Sequence, residues 1–477
     1  MSALTEAGAA SALLDRFRAI VGAANVLTGE DAAPFLVEPR GLYRGRALAA
    51  LRPGSTAEVS ALLKLCAETG TPVTPQAGGT GLVGGQVPDE SGRGIVLSLR
   101  RMNTLREIDP ASNVMTVEAG MILADAQAAA ERAGRLFPLS LASEGSCAIG
   151  GLIGANAGGV GVIAYGSMRD LTLGVEAVLA DGRVYRGLSK LRKDNTGYDL
   201  KDLFVGSEGT LGVVTAASLK LFPRPAAQET AFVGLASPQA AVDVLDLAKS
   251  RCGGEITAFE LIPRIGLDFV LKHASGTRAP LETRCAWHVL IELSAQRPEG
   301  LGERLLALLA EAVERGLIED AAVAASLAQR RAFWRLRDDL SDAQRPEGAS
   351  IKHDVSVAIA DVPAFLAEVE AALAAAAPGA RLVAFGHLGD GNIHCNVSQP
   401  QGLDPAAFLA RWDEIAAIVH GVTLRFSGSI SAEHGIGQMK RDLLPHVKDP
   451  VALELMRAVK RAFDPAGLLN PGKLLQP

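Results

Sequence analysis

Three segments in the first half of the chain carry too little side chain to be ordinary core: PVTPQAGGTGLVGGQVP (residues 72–88), SEGSCAIGGLIGANAGGVGVIAYG (143–166) and GSEGTLG (206–212). The first contains a formal G-x-G-x-x-G at Gly79, Gly81 and Gly84. A dinucleotide fingerprint of that form opens a helix and is followed about 20 residues on by an acid. Here Gly85, Pro88 and Gly92 forbid the helix, and residues 98–106 hold no carboxylate. A Walker loop is excluded too, because Gln86 follows Gly85 where a Lys-Ser or Lys-Thr pair would stand. What remains is a run of unobstructed backbone N–H groups suited to cradle a pyrophosphate. Pro72, Pro75 and Pro88 stiffen its flanks, which argues against a flexible surface loop. The second segment suits backbone lying against a large planar ligand. Together the three point to one extended nucleotide cofactor.

Around these segments the pattern is strand and helix in alternation. Residues 47–79 read as strand, helix, strand, with Ser55 and Thr56 starting the helix and Gly70 stopping it. GIVLSLRRM, NVMTVEAG, LTLGVEAVLADGRVYR and GVVTAASLKLFPRP are further strand-like runs. FPRPAAQ, at 222–228, reads as a domain exit. Beyond it come helical stretches at 240–250, 301–316, 323–344 and 362–376, and strand-like pieces at 287–294, 382–385 and 393–397. The closing RAFDPAGLLNPGKLLQP reads as an extended strap over another domain. The expected division is 1–224, 225–425 and a C-terminal segment 426–477.

At 477 residues, two or three domains are expected. The net charge of −6 offers no electrostatic footprint for nucleic acid or an anionic membrane, and no apolar run reaches the length of a bilayer span. Leu13, Phe17, Ile20 and Val21 fit one face of an N-terminal helix, unlike a secretory or transit segment. The five cysteines are scattered and odd in number, which suggests a reducing compartment and a cytoplasmic, bacterial-type enzyme.

The second half raises a separate question at AFGHLGDGNIHCNV, residues 384–397. With Asp390 and Gly391 as a two-residue turn, His387 and His394 would face each other across a hairpin, Cβ atoms about 5 Å apart. Asn396 would share their face, and Cys395 would point away as filler. Two such imidazoles suit a divalent metal with a third ligand from elsewhere. Spacing alone favours a polar pair on a solvated face. SGSISAEHGIGQMK, residues 427–440, offers Glu433 as a third ligand and leaves His434 as an acid or base, or else is merely a turn at a helix entry.

The glycine loop, GGLIGANAGG, VGSEGTLGVVT, GHLGDGNIHCNV, SAEHGIGQMKRDLL and LLNPGKLL together resemble the FAD-linked D-2-hydroxyacid dehydrogenases of the vanillyl-alcohol-oxidase-type flavoproteins. The resemblance covers nearly the whole chain from about residue 40. It is strongest to the D-2-hydroxyglutarate dehydrogenases, through Trp334, Arg337, Ser341 and the IKHDVSV run containing Lys352. It implies an α+β fold: an FAD-binding domain of two α/β subdomains, an α/β substrate-binding cap domain, and a C-terminal strap. It implies FAD contacts at Pro75, Gln76, Ala77, Gly78, Gly79, Thr80, Gly81, Leu82, Gly85, Ser143, Gly145, Ser146, Gly150, Gly151, Gly154, Asn156, Gly158, Glu208, Gly209, Val214 and Asn470. Some members attach flavin through a histidine in the glycine loop. Thr80 occupies that neighbourhood here, so the FAD is expected to be non-covalent.

The resemblance also implies zinc-type metal ligands at His387, His394 and Glu433, with His434 as the active-site histidine. Asn396, Arg337, Ser341 and Lys352 are its substrate residues, Ser341 standing where the family has a threonine. Arg337 and Ser341, four apart in the expected helix 323–344, would lie one turn from each other. The expected chemistry is oxidation of D-2-hydroxyglutarate to 2-oxoglutarate, with metal-assisted deprotonation and hydride transfer to flavin. The expected acceptor is an electron-transfer flavoprotein or a quinone, and a homodimer is among the assembly states left open. D-lactate dehydrogenase and the flavin subunit of glycolate oxidase are the rivals in the same class. An ether-lipid synthase type without net redox chemistry, or a subunit binding FAD for structure alone, are the rivals outside it.

Overall fold

The computed structural model describes residues 3–476, and every element and count below refers to those residues. The chain forms two compact units. The first comprises the chain up to Ala157, Ser167–Pro223 and the chain from Glu433 onward; the second comprises Gly158–Gly166 and Arg224–Ala432.

Beside a two-stranded pair, Arg135–Leu136 with Phe222–Pro223, the first unit holds two larger sheets. One has four strands in the order Val26–Leu27, Ala49–Leu51, Ile95–Ser98, Val73–Gln76, with parallel pairing among the last three. Helix Thr56–Thr69 makes the crossover. Ser55 caps it by accepting the Glu58 N–H, and Gly70 closes it in the left-handed conformation at φ 65°. Its buried face is Val59, Leu62, Leu63, Leu65 and Cys66. The other sheet is antiparallel, in the order Leu105–Asp109, Val114–Glu118, Val213–Lys220, Thr172–Val178, Val184–Gly187. Both the expected strands and the strand–helix–strand unit are therefore present. The helical N-terminus is present as Ala3–Val21, with Phe17 and Val21 buried.

The end of the chain belongs to the same unit. Val73 donates its N–H to Leu468 and accepts from Asn470, so the strap pairs with the edge strand Val73–Gln76. Lys460 fastens it by donating to the carbonyls of Thr210 and Leu469, at 2.8 and 2.9 Å.

The second unit is built on one antiparallel sheet of eight strands. Its path runs Asp320–Val323, Ala227–Leu235, Trp287–Ala295, Ile256–Pro263, Arg381–His387, Asn392–Ser398, Ser350–Ile351, and Asp354–Ser356 also pairs with Asn392–Ser398. One face packs Phe259, Leu261, Ala384, Ile393 and Cys395 into a large core shared with helices Pro238–Cys252, Leu301–Glu314, Val362–Ala376 and Trp412–Arg425. The opposite face carries Phe232, Ile262, Val383 and Phe385 under helices Arg264–His273, Leu327–Asp338 and Leu340–Ala343.

Three local expectations are corrected. The stretch 323–344 is not one helix. Val323 ends a strand, Ser326 caps a helix that stops at Asp338, and a separate turn of helix spans Leu340–Ala343. The segment 143–166 does enter the core, because Ile149–Ala155 is helical and buries Ile149, Leu152 and Ile153. The hairpin has no two-residue Asp-Gly turn. Its register pairs His387 with Asn392 and Phe385 with His394, leaving Leu388, Gly389, Asp390 and Gly391 in the turn. The turn closes on the His387 carbonyl, which accepts the N–H groups of Asp390 and Gly391. The shift is two residues, so both imidazoles keep the face expected of them and become diagonal neighbours.

Candidate active site

In the first unit the glycine loop, residues 143–157 of the second segment and residues 206–212 converge. A Cβ on Gly78 would stand 2.6 Å from the Ser146 carbonyl oxygen and 2.7 Å from Cys147 Cα. Gly151 faces the Ala77 methyl, Gly154 faces the Glu208 backbone, and Gly209 at φ 72° faces Pro75. Gln76 is turned inward, donating to the Phe35 and Gln86 carbonyls. Asn470 bridges two of the segments, its amide donating to the carbonyls of Gly85 (2.9 Å) and Glu208 (2.7 Å). Its Oδ1 is buried without a protein partner. Thr80, Gly81 and Leu82 are at least partly accessible at the loop tip, as are Ser143, Gly145 and Ser146 in the second segment. Side-chain-free backbone with unobstructed N–H groups fits a nucleotide diphosphate, and the orphaned Asn470 oxygen, which can only accept, suits an N–H or O–H group of the same nucleotide.

Two residues expected at the cofactor have local work visible. Asn156 ends helix Ile149–Ala155 at φ 51°, accepting from the Ser167 hydroxyl and the Arg169 N–H. Glu208, at φ 52°, turns its carboxylate to the loop after His434, accepting the Ile436 and Gly437 N–H groups at 2.7 Å each. Burial raises the Glu208 carboxyl pKa, although those N–H groups and Lys440 pull it down. The same loop is stitched to the glycine loop through Gln438, whose amide donates to the Gly84 and Val87 carbonyls. Gly437 can only be glycine, since at φ 53° its Cβ would collide with the Val83 carbonyl. Glu433 and His434 are half-buried on this non-helical loop. Val214 is buried in its strand, and Gly150 packs on Ala119. Gly158 opens the short segment belonging to the second unit.

In the second unit the candidate residues gather on the face bearing Phe385. Glu260 lies opposite His387 in the strand pairing and is fully buried. One carboxylate oxygen is 2.8 Å from His387 Nδ1 and the other accepts from Arg337 Nε at 2.6 Å. Burial alone would raise this carboxyl, but His387 and Arg337 outweigh it and hold its pKa at about 2. The Arg337 guanidinium also sits over the Phe385 ring, 5.0 Å from its centroid. The His387 and His394 rings are 5.6 Å apart and nearly perpendicular. Asp354, opposite His394 in the register, approaches its Nδ1 at 3.8 Å and accepts from Asn392 at 2.9 Å. The Asp354 carbonyl accepts the N–H of Ala432, the residue before Glu433.

Arg337, His387, His394 and Asn396 thus share one region. Asn396 is buried and donates to Gln344 at 3.2 Å. Arg337 and Ser341 do not share a helical face as expected. The helix breaks between them, Arg337 is buried and Ser341 is exposed. Lys352 returns to Ser341 all the same, its ammonium 3.5 Å from the Ser341 carbonyl. Glu260 and Asp354 were missed, although each left a signal: a lone acid inside the apolar run AFELIP, and an acid two residues after Lys352.

The FAD linked oxidases C-terminal domain matches residues 224–474, and an FAD binding domain matches 47–187. The chain belongs to the FAD-linked oxidases. It is 38% identical over 435 residues to a D-2-hydroxyglutarate dehydrogenase, mitochondrial, of Arabidopsis thaliana, covering 91% of this chain and 76% of that one. It is 37% identical over 448 residues to the corresponding protein of Bos taurus, with 94% and 80% covered. A D-2-hydroxyglutarate–pyruvate transhydrogenase of Saccharomyces cerevisiae is 34% identical over 471 residues, with 96% and 93% covered. In fold, the chain is similar to p-cresol methylhydroxylase, at a TM-score of 0.77 and 19% identity over 97% of this chain and 96% of that one. It is also similar to 4-ethylphenol oxidase of Gulosibacter chungangensis, at 0.74 and 18%, covering 99% and 98%. The expected vanillyl-alcohol-oxidase-type architecture is borne out.

The cytoplasmic expectation is corrected. Relatives from plant, fish and mammal are named mitochondrial, which points there instead. Unpaired cysteines report a reducing environment, and that property cannot separate two reducing compartments. No helix among the described residues is long and apolar enough to cross a membrane.

Proposed function

We propose that the chain oxidises D-2-hydroxyglutarate to 2-oxoglutarate with non-covalent FAD, and that a divalent metal, zinc first among candidates, assists. The observation that carries the substrate is the 38% identity to a D-2-hydroxyglutarate dehydrogenase over 91% of this chain. The buried Glu260–Arg337 and Glu260–His387 contacts agree with it, since they set a guanidinium and an imidazole on one face.

FAD fits the glycine segments of the first unit, where it would supply the hydride acceptor for substrate Cα. The residues around it are the orphaned Asn470 Oδ1 and the side-chain-free Gly78, Gly79, Gly81 and Gly85. The metal would be held by the mixed nitrogen and oxygen donors His387, His394 and Glu433, with Asp354 beside His394 as a further oxygen. There it would lower the pKa of the substrate hydroxyl. His387 is prepared for that role because its Nδ1 is tied to a carboxylate, which directs Nε2 to a ligand.

His434 accepts the hydroxyl proton. Arg337, with Nε engaged by Glu260, offers its terminal nitrogens as a fork for the carboxylate remote from the reacting carbon. Lys352, Ser341 and Asn396 complete the polar lining. Electrons then leave to an electron-transfer flavoprotein, a quinone or a second 2-oxoacid. The last option follows the transhydrogenase relative.

Anaerobic mixing with D-2-hydroxyglutarate, D-malate, D-lactate and glycolate tests the reading. Fast bleaching of the flavin by D-2-hydroxyglutarate ahead of D-lactate is expected; the reverse order supports a D-lactate dehydrogenase, a name borne by a putative Schizosaccharomyces pombe relative. No bleaching by any of them removes the dehydrogenase reading.

A further inference from the structure

We propose that Glu260 is a positioning residue that holds the substrate-anchoring Arg337 and the metal-side His387 in one fixed arrangement. This rests on the functional reading above and adds a residue to it.

Glu260 is the middle of AFELIP in the central strand Ile256–Pro263, where every residue is buried. Strand alternation sends Phe259 and Leu261 into the large core and Glu260 to the opposite face. Antiparallel pairing sets it directly opposite His387. Arg337 arrives from the last turn of helix Leu327–Asp338. The two oxygens divide the work, one meeting His387 Nδ1 at 2.8 Å and the other Arg337 Nε at 2.6 Å. Phe385 closes one side of the guanidinium, so the fork has little freedom left.

A fully buried ion pair is poor evidence of a contribution to stability, since apolar residues of similar volume serve a core as well or better. The neighbouring Ile262, Val383 and Phe385 show that this layer accepts apolar side chains. What the carboxylate adds is geometry. It fixes the proton of His387 on Nδ1, leaving Nε2 as the ligand atom, and fixes the plane of Arg337 through Nε while leaving its terminal nitrogens to a ligand. One rigid strand side chain therefore sets the separation between the metal side and the remote-carboxylate anchor. That separation selects substrate length.

The test compares flavin-loaded wild type with Glu260→Gln and Glu260→Asp. Glutamine keeps the shape without the charge; aspartate keeps the charge but is too short to reach both partners. Metal affinity is read by chelator competition, and KM and kcat are read separately for D-2-hydroxyglutarate and D-lactate. Glu260→Gln is expected to weaken zinc binding about 10-fold or more. It is also expected to raise KM for the dicarboxylate at least five times more than for D-lactate, with flavin content unchanged. Glu260→Asp should lose less on one axis than on the other. Variants that merely melt earlier, with wild-type zinc affinity and an unaltered KM ratio, overturn the proposal. So do two variants that cannot be obtained folded, since Glu260 is then a core ion pair, and so does a wild type that binds no metal. A wild type that binds metal but ignores D-2-hydroxyglutarate defeats the substrate reading instead, and the zinc affinities still decide the role of Glu260.

Discussion

The carboxylate of Glu208 holds the backbone N–H of Ile436, two residues after His434, across 228 positions of sequence. With the matching contact to Gly437, the loop bearing the candidate base is pinned to a glycine-rich cofactor segment by one side chain. Charge-assisted bonds of this kind are worth about 1.5–3 kcal/mol each. Glu208→Gln can satisfy only one N–H as acceptor. Stopped-flow reduction should show the hydride step slowed about 10-fold or more, with FAD retained. Loss of FAD with an unchanged rate in the residual holoenzyme would assign Glu208 to the cofactor instead.

Gly78→Ala should abolish flavin retention. The new methyl would meet the Ser146 carbonyl oxygen and Cys147 backbone, neither of which can rotate away. Overpacking of this sort costs about 1–3 kcal/mol. The measurement is visible absorbance per mole of purified protein. Acid precipitation of the wild type should leave all yellow colour in the supernatant, because Thr80 offers no histidine for a covalent bond.

Arg337→Ala should reduce kcat/KM for D-2-hydroxyglutarate by an amount equivalent to about 2–4 kcal/mol, with a much smaller effect on D-lactate. The substitution also strips Glu260 of one of its two partners, so folding must be followed in parallel. Equal losses for both acids would put Arg337 at the shared carboxylate.

Chelation should abolish turnover, and zinc should restore it. Glu433→Ala removes one ligand and should reduce bound metal by elemental analysis under the same dialysis. Full activity in metal-free protein would end the metal reading.

Glu347 gives the pH dependence. Hydrogen bonds from Lys272, His273 and Arg381 hold its carboxyl at about 2, against a usual 4.5. A depressed carboxylate stabilises the fold above its unfolded pKa and loses that contribution as pH falls through the folded one. Urea denaturation of wild type and Glu347→Gln should therefore differ most above pH 4.5, the gap narrowing steadily toward pH 2.

Local signals in the sequence carried far. Ser55 and Gly70 bound their helix, and the glycine loop stays non-helical where Gly85 and Pro88 forbid a helix. The imidazoles at 387 and 394 share a face even though the register slipped by two, because strand parity survives an even shift. What stayed hidden was non-local. Asp-Gly suggested the shortest turn, but the His387 carbonyl gathered two N–H groups and lengthened it. Glu260 was visible only as an oddity in an apolar run, since its partners lie 77 and 127 positions away. Strands Ala227–Leu235 and Ile256–Pro263 are mostly or wholly buried and therefore lack the alternation that marks a half-exposed strand.

The pairing of Val73 with Leu468–Asn470 bears on how the molecule is made. Domains commonly fold in the order in which they leave the ribosome, the N-terminal one first. Here the second unit is complete in sequence before the first. The second unit has all its residues once Ala432 has been translated, while the first still lacks the strand partner and the Asn470 bridge supplied by the final stretch. Gly85 of the glycine loop is made 385 positions before the Asn470 amide that bridges it. A chain stopped just before Asn470 would hold every residue of the second unit and lack the amide that bridges Gly85 and Glu208.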